Sequence, residues 1–212
     1  MAQQSERLRR LLSTAVVPVL TIARHQDAVP LAAALAEGGL DVIEVTLRTN
    51  AALEAIDAIA RALPAVTVGA GTIRTPDHAA AACRAGARFL VSPGITPRLI
   101  EASVRLPAPL LPGAATASEA MALADLGFAV QKFFPAEPLG GTAALKALAA
   151  PLDDIVFCPT GGVSAANARD YLALPNVVCV GGSWVAPPAM VAVRDWAGIR
   201  DLAREAAAMR VA

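Results

Sequence analysis

Lys132 is the residue of this chain best placed to do chemistry, because it is an amine in the middle of an apolar run. It lies in Phe128-Ala129-Val130-Gln131-Lys132-Phe133-Phe134-Pro135, with Gly127 just before. That stretch reads as a short buried β-strand. Side chains alternate faces along a strand, so Val130, Lys132 and Phe134 share one face. An ammonium held between Val and Phe is costly to bury and is pushed towards its neutral, nucleophilic form. The chain otherwise relies on arginine for positive charge. Its only lysines are Lys132 and Lys146, and Lys146 falls in an alanine-rich helical stretch, Thr142–Ala149. Guanidinium stays protonated and forms no imine. A sequence that avoids lysine yet places one here points to Schiff-base chemistry on a carbonyl. The bland alternative is a lysine that is exposed or snorkels at a strand end.

A carboxylate is the natural companion of such an amine. In Asp41–Arg48, period-two alternation puts Val42, Glu44, Thr46 and Arg48 on one face. If that face is interior, Glu44 sits at mid-depth and Arg48 near the mouth. A buried carboxylate can then carry protons at neutral pH. The competing reading is a structural Glu–Arg pair on an exposed face. Thr72 closes a strand after Gly69-Ala70-Gly71, where small residues would let a substrate approach the backbone and the hydroxyl could donate to a carboxylate. Two glycine turns complete the set: Thr160-Gly161-Gly162 and Gly181-Gly182-Ser183. Their free N–H groups suit a phosphate, and a helix N-terminus adds a favourable dipole. Ser183 lacks a GxSxG elbow and a histidine partner, so it is not read as a nucleophile. His25 and His78 lie far apart with no ligand spacing, which gives a metal site little support. Cys83, Cys158 and Cys179 show no CxxC pair and imply no disulfide framework.

The elements that must hold these groups repeat one unit. After a short N-terminal helix near residues 5–14, strand-like runs begin at Val16, Asp41, Val66, Phe89, Leu110, Phe128, Ile155 and Val177, each followed by a helical run. A final helix over 194–209 follows a Pro187-Pro188 loop. Alternating strands and helices predict parallel pairing. Eight such units in 212 residues predict a single-domain α/β chain, 1–212, folded as a (β/α)8 TIM barrel. A doubly wound open sheet is second, since no GxGxxG follows the first strand. In the barrel, the strand C-termini carry the active site, and the loops after strands seven and eight hold phosphate. Both glycine turns fall there.

Bulk properties narrow the function. Formal net charge is zero, with no basic run interleaved with aromatics, so nucleic acid is not an expected partner. Hydrophobic content is 56%, above the usual range of about 45–50%, but much of it is alanine in helical stretches. Apolar runs fall short of the roughly 20 residues that span a bilayer. No membrane partner is expected. Residues 1–10 carry no signal-peptide pattern, and the expected location is cytoplasmic.

Gly39–Asn50 with its Glu-Val-Thr-Leu-Arg-Thr, Val68–Thr72, Val91–Thr96, Leu111–Gly113, Lys132–Glu137, Phe157–Val163 and Val180–Trp184 together resemble the 2-keto-3-deoxy-6-phosphogluconate (KDPG) and 4-hydroxy-2-oxoglutarate (KHG) aldolase family. The resemblance spans nearly the whole chain in the family's order. It implies a class I aldolase of the Entner–Doudoroff pathway, a homotrimer of (β/α)8 barrels that needs no metal or cofactor. Its substrate would be a phosphorylated keto acid, with pyruvate as one product. It also implies roles. Lys132 would form the imine and Glu44 would shuttle protons. Arg48 and Thr72 would hold the carboxylate end, with Pro93 and Phe134 walling the pyruvate pocket. Thr160, Gly161, Gly162, Gly181, Gly182 and Ser183 would surround the distal hydroxyl and phosphate. The chain departs from the family pattern at Ala114-Ala115, where Ile-Ser is frequent. An aldolase for the galactonate epimer and a non-catalytic phosphosugar-binding barrel remain as alternatives.

Overall fold

The computed structural model describes residues 2–209. The chain alternates strand and helix from Val16 onwards, except that two strands, Leu110–Leu111 and Gly113–Ala114, and two helices, Pro188–Ala192 and Trp196–Ala207, follow one another directly. Its elements are α1 (Ala2–Leu11), β1 (Val16–Leu20), α2 (Ala28–Glu37), β2 (Val42–Thr46), α3 (Ala52–Ala62), β3 (Thr67–Gly71), α4 (Pro76–Arg84), β4 (Leu90–Val91) and α5 (Pro97–Ser103). Then come β5 (Leu110–Leu111), β6 (Gly113–Ala114), α6 (Ala117–Asp125), β7 (Val130–Phe133), α7 (Gly141–Ala149), β8 (Val156–Pro159), α8 (Ala168–Leu172), β9 (Val180–Gly182), α9 (Pro188–Ala192) and α10 (Trp196–Ala207). Every named pairing is parallel. One sheet runs β5-β4-β3-β2-β1-β9 and a second runs β6-β7-β8.

The chain has the expected α/β class, with nine strands instead of eight among the described residues. The fifth is split because Pro112, between β5 and β6, has no N–H to give a ladder. Its carbonyl still accepts from the Lys132 N–H at 2.8 Å. Isolated parallel bridges, Phe157↔Val177 and Thr160↔Gly181, join the edge of the smaller sheet to β9 and the segment leading into it.

Period two sorts the strand residues into two apolar clusters. Ile43, Val45, Val68 and Ala70 pack outwards against helix residues such as Leu31, Leu35, Ile56 and Ile59. On the opposite faces, Val17, Val42, Val91, Leu111, Val130 and Cys158 pack with Phe89 and Cys179. Leu8 and Leu12 from the first helical segment and the residue after it close that second cluster.

Threonines set the helix starts. Thr75, Thr96 and Thr116 each accept the N–H of the residue three ahead, and Thr116 forms a full capping box with Glu119. The expected C-terminal helix is present as α10, and a short extra helix, α9, forms where a Pro187-Pro188 loop is expected. Pro188 opens α9, as proline at the first helical position favours, and Asp195 caps α10 by accepting the Gly198 N–H. Helix α8 begins only at Ala168, because Ser164 and Asn167 form a turn first.

Helix α10 lies against α2 at Gly38, where a Cβ would overlap that of Ala203 and stand 2.6 Å from the Arg200 carbonyl oxygen. Gly38→Ala is therefore expected to lower stability by about 1–3 kcal/mol, as overpacking does. Urea unfolding followed by circular dichroism checks this; an unchanged midpoint would show that the helices separate freely.

Candidate active site

Glu44 on β2 and Lys132 on β7 belong to different sheets, and their side chains meet between them. The Lys132 Nζ lies 3.7 Å from Oε1 of Glu44, with side chains only 6% and 5% exposed. That separation is an ion pair longer than a hydrogen bond, and Oε1 has no hydrogen-bond partner among the described residues. The ammonium also lies 5.1 Å from the centroid of the Phe134 ring, within cation–π range. The Glu44–Arg48 pair considered from sequence does not form. Glu44 turns inwards to the lysine, and Arg48 donates its Nε–H to the Thr72 hydroxyl at 3.3 Å.

The glycines of β3 serve the protein before any substrate. A Cβ at Gly71 would overlap Oε1 of Glu44, and one at Gly69 would overlap the Phe89 ring. The space expected for an approaching ligand is filled by these side chains. Thr72 follows with φ 59, a left-handed conformation uncommon outside glycine and unfavourable for a β-branched residue. Thr46 satisfies its own hydroxyl on the Leu20 carbonyl at 2.9 Å.

A cavity of about 650 Å³ opens beside this pair. Gly161, Gly162, Gly181, Gly182, Ser183, Thr160, Phe134 and Arg48 all face it. Lys132, Glu44, Thr72 and Pro93 do not line it. They are joined to it by Phe134, beneath the ammonium, and by Arg48, bonded to Thr72. Pro93 is exposed and abuts Gly113, the register partner of Lys132.

The first glycine turn is pinned from outside. Gly161 and Gly162 have φ of +98 and +83, which L side chains rarely adopt. The carbonyls of Thr160, Gly161 and Gly162 accept from the N–H groups of Ala136 and Glu137 and from Asn167 Nδ2. The N–H groups of Gly161 and Gly162 make no hydrogen bond among the described residues, as an anion site requires. Glu137 also accepts the Tyr171 hydroxyl. Burial first, and that carboxylate second, push the Tyr171 phenol above its ordinary range, so it stays a donor.

The sequence reading passed over Glu137 and Tyr171, and also Arg24 and Asp27, which face the same cavity. The Arg-x-x-Asp spacing just after the first strand was the signal available. Cys158 and Cys179 are free thiols buried in the inner apolar cluster. Cys158, opposite Lys132 in register, accepts a weak bond from the Cys179 thiol at 3.4 Å. That bond holds the Cys158 thiol down and, with burial, raises Cys179.

Comparison with known proteins gives a consistent picture. The model of the KDPG and KHG aldolase family matches residues 8–202. The KHG/KDPG aldolase of Escherichia coli K12 is 50% identical over 191 residues, covering 90% of each chain. The 2-dehydro-3-deoxy-phosphogluconate aldolase of Pseudomonas aeruginosa is 49% identical over 205 residues, 96% of this chain and 93% of that one. Among solved structures, the Zymomonas mobilis ZM4 aldolase with 3-phosphoglycerate superimposes with a TM-score of 0.92 at 45% identity, covering 100% and 99% of the two chains. The Legionella pneumophila aldolase, with pyruvate captured as a covalent carbinolamine, gives 0.91 at 42% identity over 93% and 96%.

Proposed function

Because the chain belongs to the KDPG and KHG aldolase family, we propose that it is a cytoplasmic class I aldolase. It cleaves 2-dehydro-3-deoxy-6-phosphogluconate to pyruvate and glyceraldehyde 3-phosphate and also acts on 4-hydroxy-2-oxoglutarate. The observation that carries this reading is the buried Lys132–Glu44 pair, an amine and a carboxylate meeting across two sheets. A structural ion pair is an expensive thing to bury in an apolar interior; a nucleophile with its proton carrier explains why it is there.

The steps follow from position. Neutral Lys132 adds to the C2 ketone, giving a carbinolamine, and loss of water gives an iminium. The C4 hydroxyl loses its proton, the C3–C4 bond breaks, and its electron pair flows into the iminium to form an enamine. The aldehyde departs. Protonation at C3 and hydrolysis of the imine release pyruvate and regenerate the amine. Glu44 Oε1 is the group that takes and returns these protons. Arg48 and Thr72 take the carboxylate, Pro93 and Phe134 wall the pyruvyl unit, and Thr160 with the glycine turns and Ser183 takes the distal end.

We read the two sheets as one closed (β/α)8 barrel forming a single domain over 1–212. Support comes from the parallel bridges at Phe157↔Val177 and Thr160↔Gly181 and from the Lys132–Pro112 bond. It comes also from the inner cluster, which draws on both sheets. We carry the homotrimer with the family resemblance, to be checked by light scattering.

Incubation with pyruvate and borohydride is expected to add one reduced pyruvyl unit, mapped by peptide mass to Lys132. An unchanged intact mass would leave only a phosphosugar-binding barrel.

A further inference from the structure

A second cavity, of about 400 Å³, opens at the other end of the strands. Arg7, Arg10 and Leu11 line it from α1, Ala87 and Arg88 from just before β4, and Pro107 and Ala108 from just before β5. These are strand N-termini, whereas the glycine turns follow strand C-termini. The aldolase reaction uses none of these residues. Three of them are arginines and none is acidic. Arg7 and Arg10 stand three apart on one helix and so share a face. Arg7 Nη2 donates to the Pro107 carbonyl at 2.9 Å, which ties α1 to the segment before β5. Arg10 pairs with Glu6 at 3.0 Å, but the two side chains are 78% and 57% exposed, and an exposed pair of this kind holds weakly. The Arg88 backbone is fixed by its N–H bond to the Val68 carbonyl at 2.8 Å. Its side chain is exposed and makes no hydrogen bond or ion pair among the described residues. Three guanidiniums thus face one loosely held carboxylate. The rest of the wall is apolar, with Ala87 and Ala108 buried, and apolar walls around charge of one sign concentrate its field.

We propose that this cavity is a second binding site, taking a small polyanion with two or more phosphate or carboxylate groups between Arg7, Arg10 and Arg88. Like charges gathered around one concavity repel each other, and a polyanion removes that repulsion. Guanidinium forks bind phosphate and carboxylate alike in bidentate fashion. An anion with a single charge would leave part of the cluster unmet. A bound polyanion would bridge α1 to the starts of β4 and β5. Helix α1 carries Leu8 into the inner cluster, and Leu12 follows it there. That cluster contains Val130, on the strand of Lys132, and Cys158, its register partner. Occupancy therefore clamps the helical segment that packs against the strands around the amine. The site stands whether or not the chain is an aldolase.

The test is calorimetry on the full-length protein with pyrophosphate and citrate as probes, and acetate at matched ionic strength as the singly charged control. At least one polyanion is expected to bind more tightly than acetate. Arg88→Ser should weaken that binding roughly 10-fold or more, the range for one charged hydrogen-bonding group. Arg88→Lys should keep part of it, since an ammonium still offers a point charge. Arg88 is the clean position because its side chain has no partner to lose, and without probe the variant should cleave substrate at the wild-type rate. The probe that loses more affinity in Arg88→Ser identifies phosphate or carboxylate as the group taken. Amide hydrogen exchange gives the location. The bound probe should slow exchange along α1 in the wild type and not in Arg88→Ser. Equal affinities in wild type and Arg88→Ser, acetate binding as tightly as both polyanions, or protection confined to the turns at 160–162 and 181–183 would each overturn the proposal.

Discussion

Lys132→Arg is expected to reduce turnover by roughly 10⁴-fold or more, the order that follows loss of a covalent nucleophile. It should also abolish borohydride trapping of pyruvate. Arginine is the informative replacement because it keeps a positive charge opposite Glu44 but cannot form an imine. A variant that retains activity would mean that the residue acts through charge alone. Lys132→Met makes the complementary point in stability. It leaves the Glu44 carboxylate buried without its cation, and breaking a buried pair from one side costs about 3–5 kcal/mol. Adding Glu44→Gln to that variant should restore much of the loss. Thermal melts of wild type, both single variants and the double variant, read as a cycle, would give the coupling between the two groups.

Glu44→Gln is expected to slow cleavage by roughly 10²- to 10⁴-fold, the range for a positioned acid–base group, while trapping at Lys132 persists. Glutamine has the shape of glutamate and fits the space left by the missing Cβ of Gly71, so the loss would reflect proton transfer and not displacement. Imine formation needs the amine, whereas carbon–carbon cleavage needs a group to take the C4 hydroxyl proton. The two assays therefore separate the roles. Cleavage at the wild-type rate would remove Glu44 from the mechanism.

Both of these residues were legible in the sequence because each breaks a local rule. A lysine within Val-Gln-Lys-Phe-Phe and a glutamate within Val-Ile-Glu-Val-Thr are conflicts that period-two alternation turns into a direction. The strand–helix alternation was legible for the same reason, since a strand's pattern is written over a few neighbouring residues. What escaped depended on contacts distant in sequence. Asp27 and Arg194 are 167 residues apart, and neither breaks a local rule. Tyr171 reads as an ordinary core aromatic until the fold brings it to Glu137, 34 residues earlier. Gly69 and Gly71 looked like room for a ligand because a sequence does not reveal that Phe89 and Glu44 will fill it. Pro112 was visible, but not that one strand would be divided between two sheets by it.

The floor formed by Leu8 and Leu12 has a kinetic meaning. Those leucines pack into the inner cluster, and the glycine-lined cavity opens beside Phe134, over whose ring the Lys132 amine lies. In the proposed reaction the three-carbon acid is still bonded to the Lys132 amine when the phosphorylated aldehyde leaves by the cavity. Departure is then sequential, aldehyde first and acid last. In the synthetic direction the acid must enter before its partner, so excess aldehyde should act as a dead-end inhibitor by blocking the way in.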